Sequence, residues 1–406
     1  MQTPVRAGTQ LSELRVAIVH YWFVSYGGGE RFIETLAEVF PQADLFTLVA
    51  DRSTLAPILQ SKNLRTSFLQ HLPLATRFHR HFLMLMPLAL EQFDLRGYDL
   101  VISSESGPAK GVLTSSKTCH ICYCHSPMRS IWEMYPEHRR GMGPLVGPIF
   151  ALAAHYMRIW DQASAARVDY FVANSRFSAS RILKYYRRES TVIHPPVDAV
   201  AARPSDAAGT YYLAVGRLVD YKRFDLAVGA CTKLGAPLKV IGVGPCYRAL
   251  RRMAGPTVEF LGKVSEDELR RTLAGCRALL FPGEEDFGIV PVEAQSYGRP
   301  VIAYACGGVL ETVRGVVANG RRVENPTGLF FAEQSESALA KAIQDFESIE
   351  KEFCPQTIRE HSLQFDREIF KQMIAEFVRS AMAEFLGRGQ PEVAFSQRGI
   401  LQDGMR

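Results

Sequence analysis

Short apolar runs alternate with amphipathic stretches along most of the chain. Arg15–Trp22 (RVAIVHYW) predicts a buried strand, and a glycine-rich turn follows it. Glu30–Phe40 then places Phe32, Ile33, Leu36, Val39 and Phe40 at helical spacing, which predicts a helix with one apolar face. Asp44–Val49, Leu100–Ser103, Thr118–Cys124 and Tyr170–Ala173 read as further strands. The same grammar restarts near Tyr211, with strands expected at Tyr211–Val215, Leu238–Ile241, Val258–Leu261, Ala278–Phe281 and Pro300–Tyr304. Such alternation implies parallel sheets covered by helices, here two of them. The seam falls in His194–Thr210, a stretch rich in Pro, Ala, Gly and Asp that has the composition of a linker. Asp366–Phe385 predicts a last helix, and the polar stretch after it a frayed tail.

Composition narrows the class. The 406 residues are 47% hydrophobic and 22% charged, as in ordinary globular chains, and each half is long enough for its own core. The amino terminus lacks the basic-then-apolar layout of a signal peptide. No apolar run reaches the roughly 18 residues that span a bilayer; His81–Leu90 and Pro144–Met157 are too short or are broken by Gly and Pro. Eight cysteines in such a chain read as reduced thiols, and a cytoplasmic protein is expected. The net charge of +5 is uneven. Residues 1–200 carry 21 Lys and Arg against 16 Asp and Glu, and residues 201–406 carry 26 of each. An excess confined to the first half suits an anionic partner there, such as a membrane surface or a diphosphate-bearing acceptor, and equally a solvated face. No nucleic-acid partner is expected.

Three strand-to-helix turns are rich in glycine: Gly27-Gly28-Gly29, Gly242-Val243-Gly244, and Gly307-Gly308 before a helix over Val309–Val313. Glycine lets a backbone approach an anion, and a following helix offers free N–H groups; close packing explains such glycines as well. None is a P-loop, and the dinucleotide fingerprint is incomplete at Gly244. Gly216-Arg217-Leu218…Lys222 places two cations at the carboxyl end of a strand, where ligands of open parallel sheets collect. An Arg fork and a Lys point charge suit phosphate, although two solvated charges would look the same. Pro282-Gly283-Glu284-Glu285-Asp286-Phe287-Gly288-Ile289-Val290-Pro291-Val292-Glu293-Ala294 sets an acidic turn ahead of a helix. With a helix start near Ile289, Glu285 lies in the turn and Glu293 one turn into the helix, so both can face one ligand. Helix capping accounts for Glu284 or Asp286 but leaves Phe287, Gly288 and Glu293 without a reason.

Taken in order, these motifs resemble glycosyltransferase family 4 (group 1), retaining enzymes of the α/β GT-B fold, in which two Rossmann-like domains face each other across a cleft. The Glu-x7-Glu pattern is met by Glu285 and Glu293, and the Gly27–Gly29 turn with Glu30 fits the amino-terminal half. Tyr123-Cys124-His125-Ser126-Pro127-Met128-Arg129 is similar to a bacterial mannosyltransferase-like branch. The resemblance covers Arg15 to Phe385. It implies an acceptor domain over 1–198, a nucleotide-sugar domain over 199–365, a helix over 366–385 returning to the first domain, and a flexible tail over 386–406. It also implies site residues. Arg217 and Lys222 would bind the donor diphosphate beside Gly216, and Glu293 the ribose hydroxyls. Glu285, with backbone N–H groups around Phe287, Gly288 and Ile289, would bind the transferred sugar. His125 would sit near its reacting face, with Gly28, Gly29 and Arg129 on the acceptor side. The implied partners are a nucleotide-diphosphate sugar, with GDP-mannose the first guess, and a glycan or polyprenyl-diphosphate-linked acceptor. No cofactor is expected, and with no Asp-x-Asp triplet the two cations would replace a divalent metal.

Other signals are weighed down by context. Cys119-His120-Ile121-Cys122-Tyr123-Cys124-His125 looks like a metal cluster, but on a strand its side chains divide between two faces, and no second Cys/His pair has zinc-finger spacing. Thr76–Leu90 and His138–Trp160 join basic and apolar residues, which suits either an interfacial helix or core helices. The rival to an enzyme is a non-catalytic subunit of the same fold that binds nucleotide sugar or scaffolds a polysaccharide complex. A phosphorylase would need a pyridoxal-binding lysine, for which no context is recognisable.

Overall fold

The computed structural model describes residues 10–202, 209–317 and 323–388. The centre of the expected linker and nearly all of the expected tail lie outside the described residues. Two seven-stranded sheets organise the chain, and every registered strand pair is parallel. The first holds β1 (Val16–Phe23), β2 (Asp44–Ala50), β3 (Leu64–Thr66), β4 (Leu100–Glu105), β5 (Cys119–Cys124), β6 (Tyr170–Ala173) and β7 (Thr191–Val192), in the order 3-2-1-4-5-6-7. The second holds β8 (Tyr212–Val215), β9 (Leu238–Ile241), β10 (Val258–Gly262), β11 (Ala278–Phe281), β12 (Val301–Tyr304), β13 (Gly315–Val317) and β14 (Gly328–Phe331), in the order 10-9-8-11-12-14-13.

Burial explains why these runs became strands. β2, β4 and β5 are almost wholly buried, as expected for sheets with helices on both faces. Near its centre each sheet reverses its strand order, between β1 and β4 and between β8 and β11. Such reversals open a crevice at the carboxyl ends of the two strands, which is where ligands of this architecture bind.

The helix Arg367–Arg388 follows the second sheet in sequence but packs on the first. Phe370, Ile374, Val378, Ala381 and Met382 join the core that also holds Phe32, Ile33, Leu36 and Tyr123. Phe370 meets Phe32 edge-on at 5.4 Å between ring centroids. At the start of the same helix, Arg367 and Lys371 both bind Glu38 at 2.5 Å. The chain therefore crosses between its domains twice, and the second crossing ends in buried apolar surface, which holds it far more firmly than surface ion pairs would.

Candidate active site

Between the carboxyl edges of the two sheets lies a cleft of about 740 Å³. One wall comes from the first domain: Tyr21, the Gly27–Gly29 turn after β1, Ser106 after β4, His125 after β5 and Asn174 after β6. The opposite wall comes from the loop after β8 (Gly216, Tyr221, Lys222) and from Glu285–Val290 and Glu293 after β11. Both walls thus meet at the points where the strand order reverses.

Lys222 is the charge at the floor of the second wall. Its Nζ is 2.7 Å from Glu285 Oε1. Burial would lower its pKa, but the Glu285 carboxylate outweighs that and holds the ammonium protonated, above its ordinary value. Gly216, directly before the loop, has φ +149°, and a β-carbon there would stand 3.1 Å from Lys222 Nζ. Glycine is what lets the loop curl around the ammonium. Glu293 sits one turn into the helix Ile289–Ser296 and pairs with Arg31 of the first domain at 3.1 Å. Gly288, Ile289 and Val290 line the cleft at the start of that helix, where N–H groups have no intrahelical acceptor. Phe287 turns away and packs with Val197, Val292 and Phe365, so its contribution to the cleft is its backbone.

The acidic turn is held across the domain boundary. Arg181 of the first domain reaches Glu284 at 2.8 Å and also pairs with Asp286 and Glu133. Arg129 lies 3.5 Å from Asp286 and 3.9 Å from Glu284, and its guanidinium stands 5.3 Å from the Tyr221 ring centre. Glu311 of the second domain accepts from the amides of Arg176 and Phe177, capping a helix of the first. Gly28 meets the same boundary, since a β-carbon there would touch Ile289 Cδ1 at 3.0 Å.

The structure separates the three glycine turns. Only Gly27–Gly29 lines the cleft. A β-carbon on Gly242 or Gly244 would collide with the carbonyls of Gly216 or Leu218, at 1.8 Å and 2.2 Å. On Gly307 or Gly308 it would strike the backbone of Glu285 or Asp286, at 2.5 Å and 2.2 Å. Those two turns brace the neighbouring loops that carry Lys222 and Glu285.

Gly28, Gly29, Arg129, His125, Gly216, Lys222, Glu285, Phe287, Gly288, Ile289 and Glu293 therefore converge on one cleft. Arg217 does not line the cleft; it is exposed, and its charge disfavours protonation of His79 and Arg80 of the first domain. The seven residues Cys119–His125 form β5 and its end, with the three cysteines free and buried, and among the described residues no His, Cys, Asp or Glu group is arranged to hold a metal. Sequence reasoning missed Arg31, Arg181 and Glu311, whose partners in the other domain are 103 to 262 positions away. It also missed His20 and Ser104, which stand behind His125.

Two facing parallel-sheet domains with a charged cleft at both order reversals define the GT-B class of α/β transferases. Family models agree in both halves: Glycosyltransferase Family 4 matches residues 26–200 and Glycosyl transferases group 1 matches residues 201–360. The chain belongs to the family 4, group 1 glycosyltransferases. A D-inositol 3-phosphate glycosyltransferase of Nocardioides sp. is 27% identical over a 197-residue alignment, with 38% of this chain and 43% of that one covered. The match thus spans less than half the length of that relative. A sucrose-phosphate synthase from Thermosynechococcus elongatus superposes with a TM-score of 0.69 at 17% identity, covering 92% of this chain and all of the other. Anabaena HepE, solved with UDP and glucose, superposes at 0.66 with 16% identity, covering 91% of this chain and all of that one.

Glu30, the residue after the glycine turn, is buried in the first turn of the helix Gly28–Val39. Burial pushes its carboxyl up to about 7, backbone amides of Glu30 and Gly27 oppose the rise, and Glu34 adds to it. A carboxyl raised on folding stabilises the protein below its unfolded pKa and loses that contribution as pH rises through the folded one. Glu30→Gln should therefore gain on the parent between about pH 4 and pH 8, by roughly 3 kcal/mol from a shift of this size. Denaturant midpoints of both proteins at each pH check this; a difference that does not change with pH would contradict it.

Proposed function

We propose that the chain moves a hexose from a nucleotide-diphosphate sugar to a glycan or polyprenyl-diphosphate-linked acceptor, with retention at the anomeric carbon. The observation that carries this reading is Lys222, a protonated ammonium at the strand-order reversal of the second domain, with a helix start and His125 around the same cleft. As the bond from the sugar to the diphosphate breaks, charge grows on the departing oxygen. A fixed ammonium and free helix amides beside it stabilise that state more than the ground state. The acceptor hydroxyl attacks the anomeric carbon from the face the diphosphate leaves, and its proton passes to a diphosphate oxygen. The new carbon–oxygen bond replaces the broken one on the same face. Catalysis then rests on positioning and electrostatics, with Lys222 carrying charge that a divalent metal would otherwise carry. Glu285 and Glu293 accept from sugar and ribose hydroxyls once Lys222 and Arg31 turn to the diphosphate. GDP-mannose is the first donor to test, with UDP-glucose and UDP-N-acetylhexosamines beside it.

Membrane contact through the first domain belongs to the same reading. The helix Gly143–Ala165 turns a stripe of apolar side chains to solvent, with Leu145 85%, Ile149 70% and Leu152 70% exposed and Tyr156 and Ile159 continuing it. Arg139 and Arg140 stand in the helix just before it. Apolar residues flanked by cations suit the interface of an anionic bilayer. No described helix is long and apolar enough to cross one.

A donor panel in EDTA, with a lipid-diphosphate-sugar acceptor, should give transfer from one donor with the anomeric configuration kept. Lys222→Ala and Glu285→Ala should each lower kcat/KM by about a hundredfold or more. Nucleotide binding without turnover on any acceptor would favour the non-catalytic scaffold. Co-sedimentation with vesicles containing anionic lipid should be lost when Leu145, Ile149 and Leu152 are replaced by Glu, while transfer to a soluble acceptor persists. Vesicle binding unchanged by those substitutions would contradict the membrane surface named here.

A further inference from the structure

Behind the first wall of the cleft, three side chains form a short hydrogen-bonded chain. His20, near the middle of β1, is fully buried. Its Nδ1 is 3.2 Å from Ser104 Oγ on β4, and the same Oγ is 3.0 Å from His125 Nε2. Ser104 is also fully buried. Its hydroxyl has one proton to give and can donate to only one of the two imidazoles. Burial keeps both rings neutral at pH 7: desolvation, with His125 adding to it, lowers His20 to about 3, and desolvation lowers His125 to about 4. Each ring then carries a single N–H, and the direction in which Ser104 donates decides which nitrogen of each ring holds it.

The far nitrogen of His20 sets that direction. His20 Nε2 is buried and has no partner among the described residues. It lies against the first turn of the helix Gly28–Val39, since a β-carbon on Gly29 would stand 3.4 Å from His20 Cε1 and 3.8 Å from Nε2. The amino end of a helix carries partial positive charge, which favours a lone pair there and opposes an N–H. We infer that His20 is the Nδ1–H tautomer and donates to Ser104, that Ser104 donates to His125 Nε2, and that His125 is thereby locked with its one proton on Nδ1. Among the described residues no hydrogen bond reaches that nitrogen, and His125 lines the cleft.

The inference rests on the proposed transferase reading for its consequence, though not for its geometry. A neutral imidazole with Nδ1–H offers the cleft a hydrogen-bond donor and no lone pair. His125 can then give a hydrogen bond to a hydroxyl or phosphate oxygen of the sugar donor, but it cannot take the proton of the acceptor hydroxyl. Ser104 and His20 are positioning residues that act through His125.

Two-bond 15N–1H spectra of the full chain labelled at histidine read the tautomer directly and need no substrate. The His20 and His125 signals are assigned by their absence in His20→Asn and His125→Asn. At pH 7 the unmodified protein should show both rings as Nδ1–H. Ser104→Ala should release His125 to the tautomer mixture of free imidazole and lower kcat about tenfold, the loss of one ordinary hydrogen bond. Ser104→Thr, which keeps the hydroxyl, should restore the tautomer. His125 found as Nε2–H or as imidazolium in the unmodified protein would overturn the inference, whether or not the variants fold. An Nδ1–H signal unchanged in a folded Ser104→Ala would also overturn it. Absence of transfer on every donor, with the tautomer as stated, would count against the transferase reading alone.

Discussion

Three consecutive carboxylates, Glu284, Glu285 and Asp286, stand in a part-buried turn between two domains, and the geometry of the cleft depends on how they are neutralised. Left together they would repel, and burial would drive protons onto them. The chain answers with cations from both sides. Arg129 and Arg181 reach across from the first domain to Glu284 and Asp286, and Lys222 of the second domain takes Glu285. Two of the three carboxylates are thereby spent on holding the domains in register. Glu285, on a partner within its own domain, stays available to a ligand. Removing either partner of such a pair leaves an uncompensated charge, so the acidic turn fixes the distance between the two walls more strictly than packing alone would.

This division explains which groups face the cleft in pairs. Lys222 with Glu285, and Arg31 with Glu293, are matched charges. A nucleotide-diphosphate sugar carries both complements: phosphate oxygens for the cations and hydroxyls for the carboxylates. It can therefore replace each internal pair with two contacts of its own. The first domain is different in kind. Behind His125 it presents buried neutral histidines, a buried serine and the aromatic rings of Phe32 and Tyr123. Charge on this side comes from Arg31 and Arg129 at the domain boundary, while the groups behind His125 are neutral.

The fold was legible because both halves build their sheets from runs with little else inside them, such as VAIVHYWF and ALLF. The strands Leu64–Thr66, Thr191–Val192, Gly315–Val317 and Gly328–Phe331 were not, since two to four residues carry no periodicity. Glycine turns could not be sorted in advance. Whether Gly242 serves a ligand or a neighbouring carbonyl depends on the loop after β8, 26 positions earlier at Gly216. Motif order placed Lys222, Glu285 and Glu293 near one another, because each follows a strand of the same sheet. Arg31, Arg181 and Glu311 were invisible for the converse reason: their partners sit in the other domain, and nothing local distinguishes them from surface charges. Arg217 shows the limit of motif spacing. A position two residues past a strand end determines the loop and leaves the side chain free to face either way.

The proposed transfer requires the donor diphosphate to bind at the Lys222–Glu285 pair. A crystal structure of the chain with a nucleoside diphosphate, GDP and UDP in parallel, tests it most directly. Phosphate oxygens are expected within hydrogen-bond distance of Lys222 Nζ and of the amides at Gly288–Val290, with the ribose hydroxyls on Glu293. A diphosphate bound away from Lys222, with the Lys222–Glu285 pair intact and the cleft empty, would contradict it.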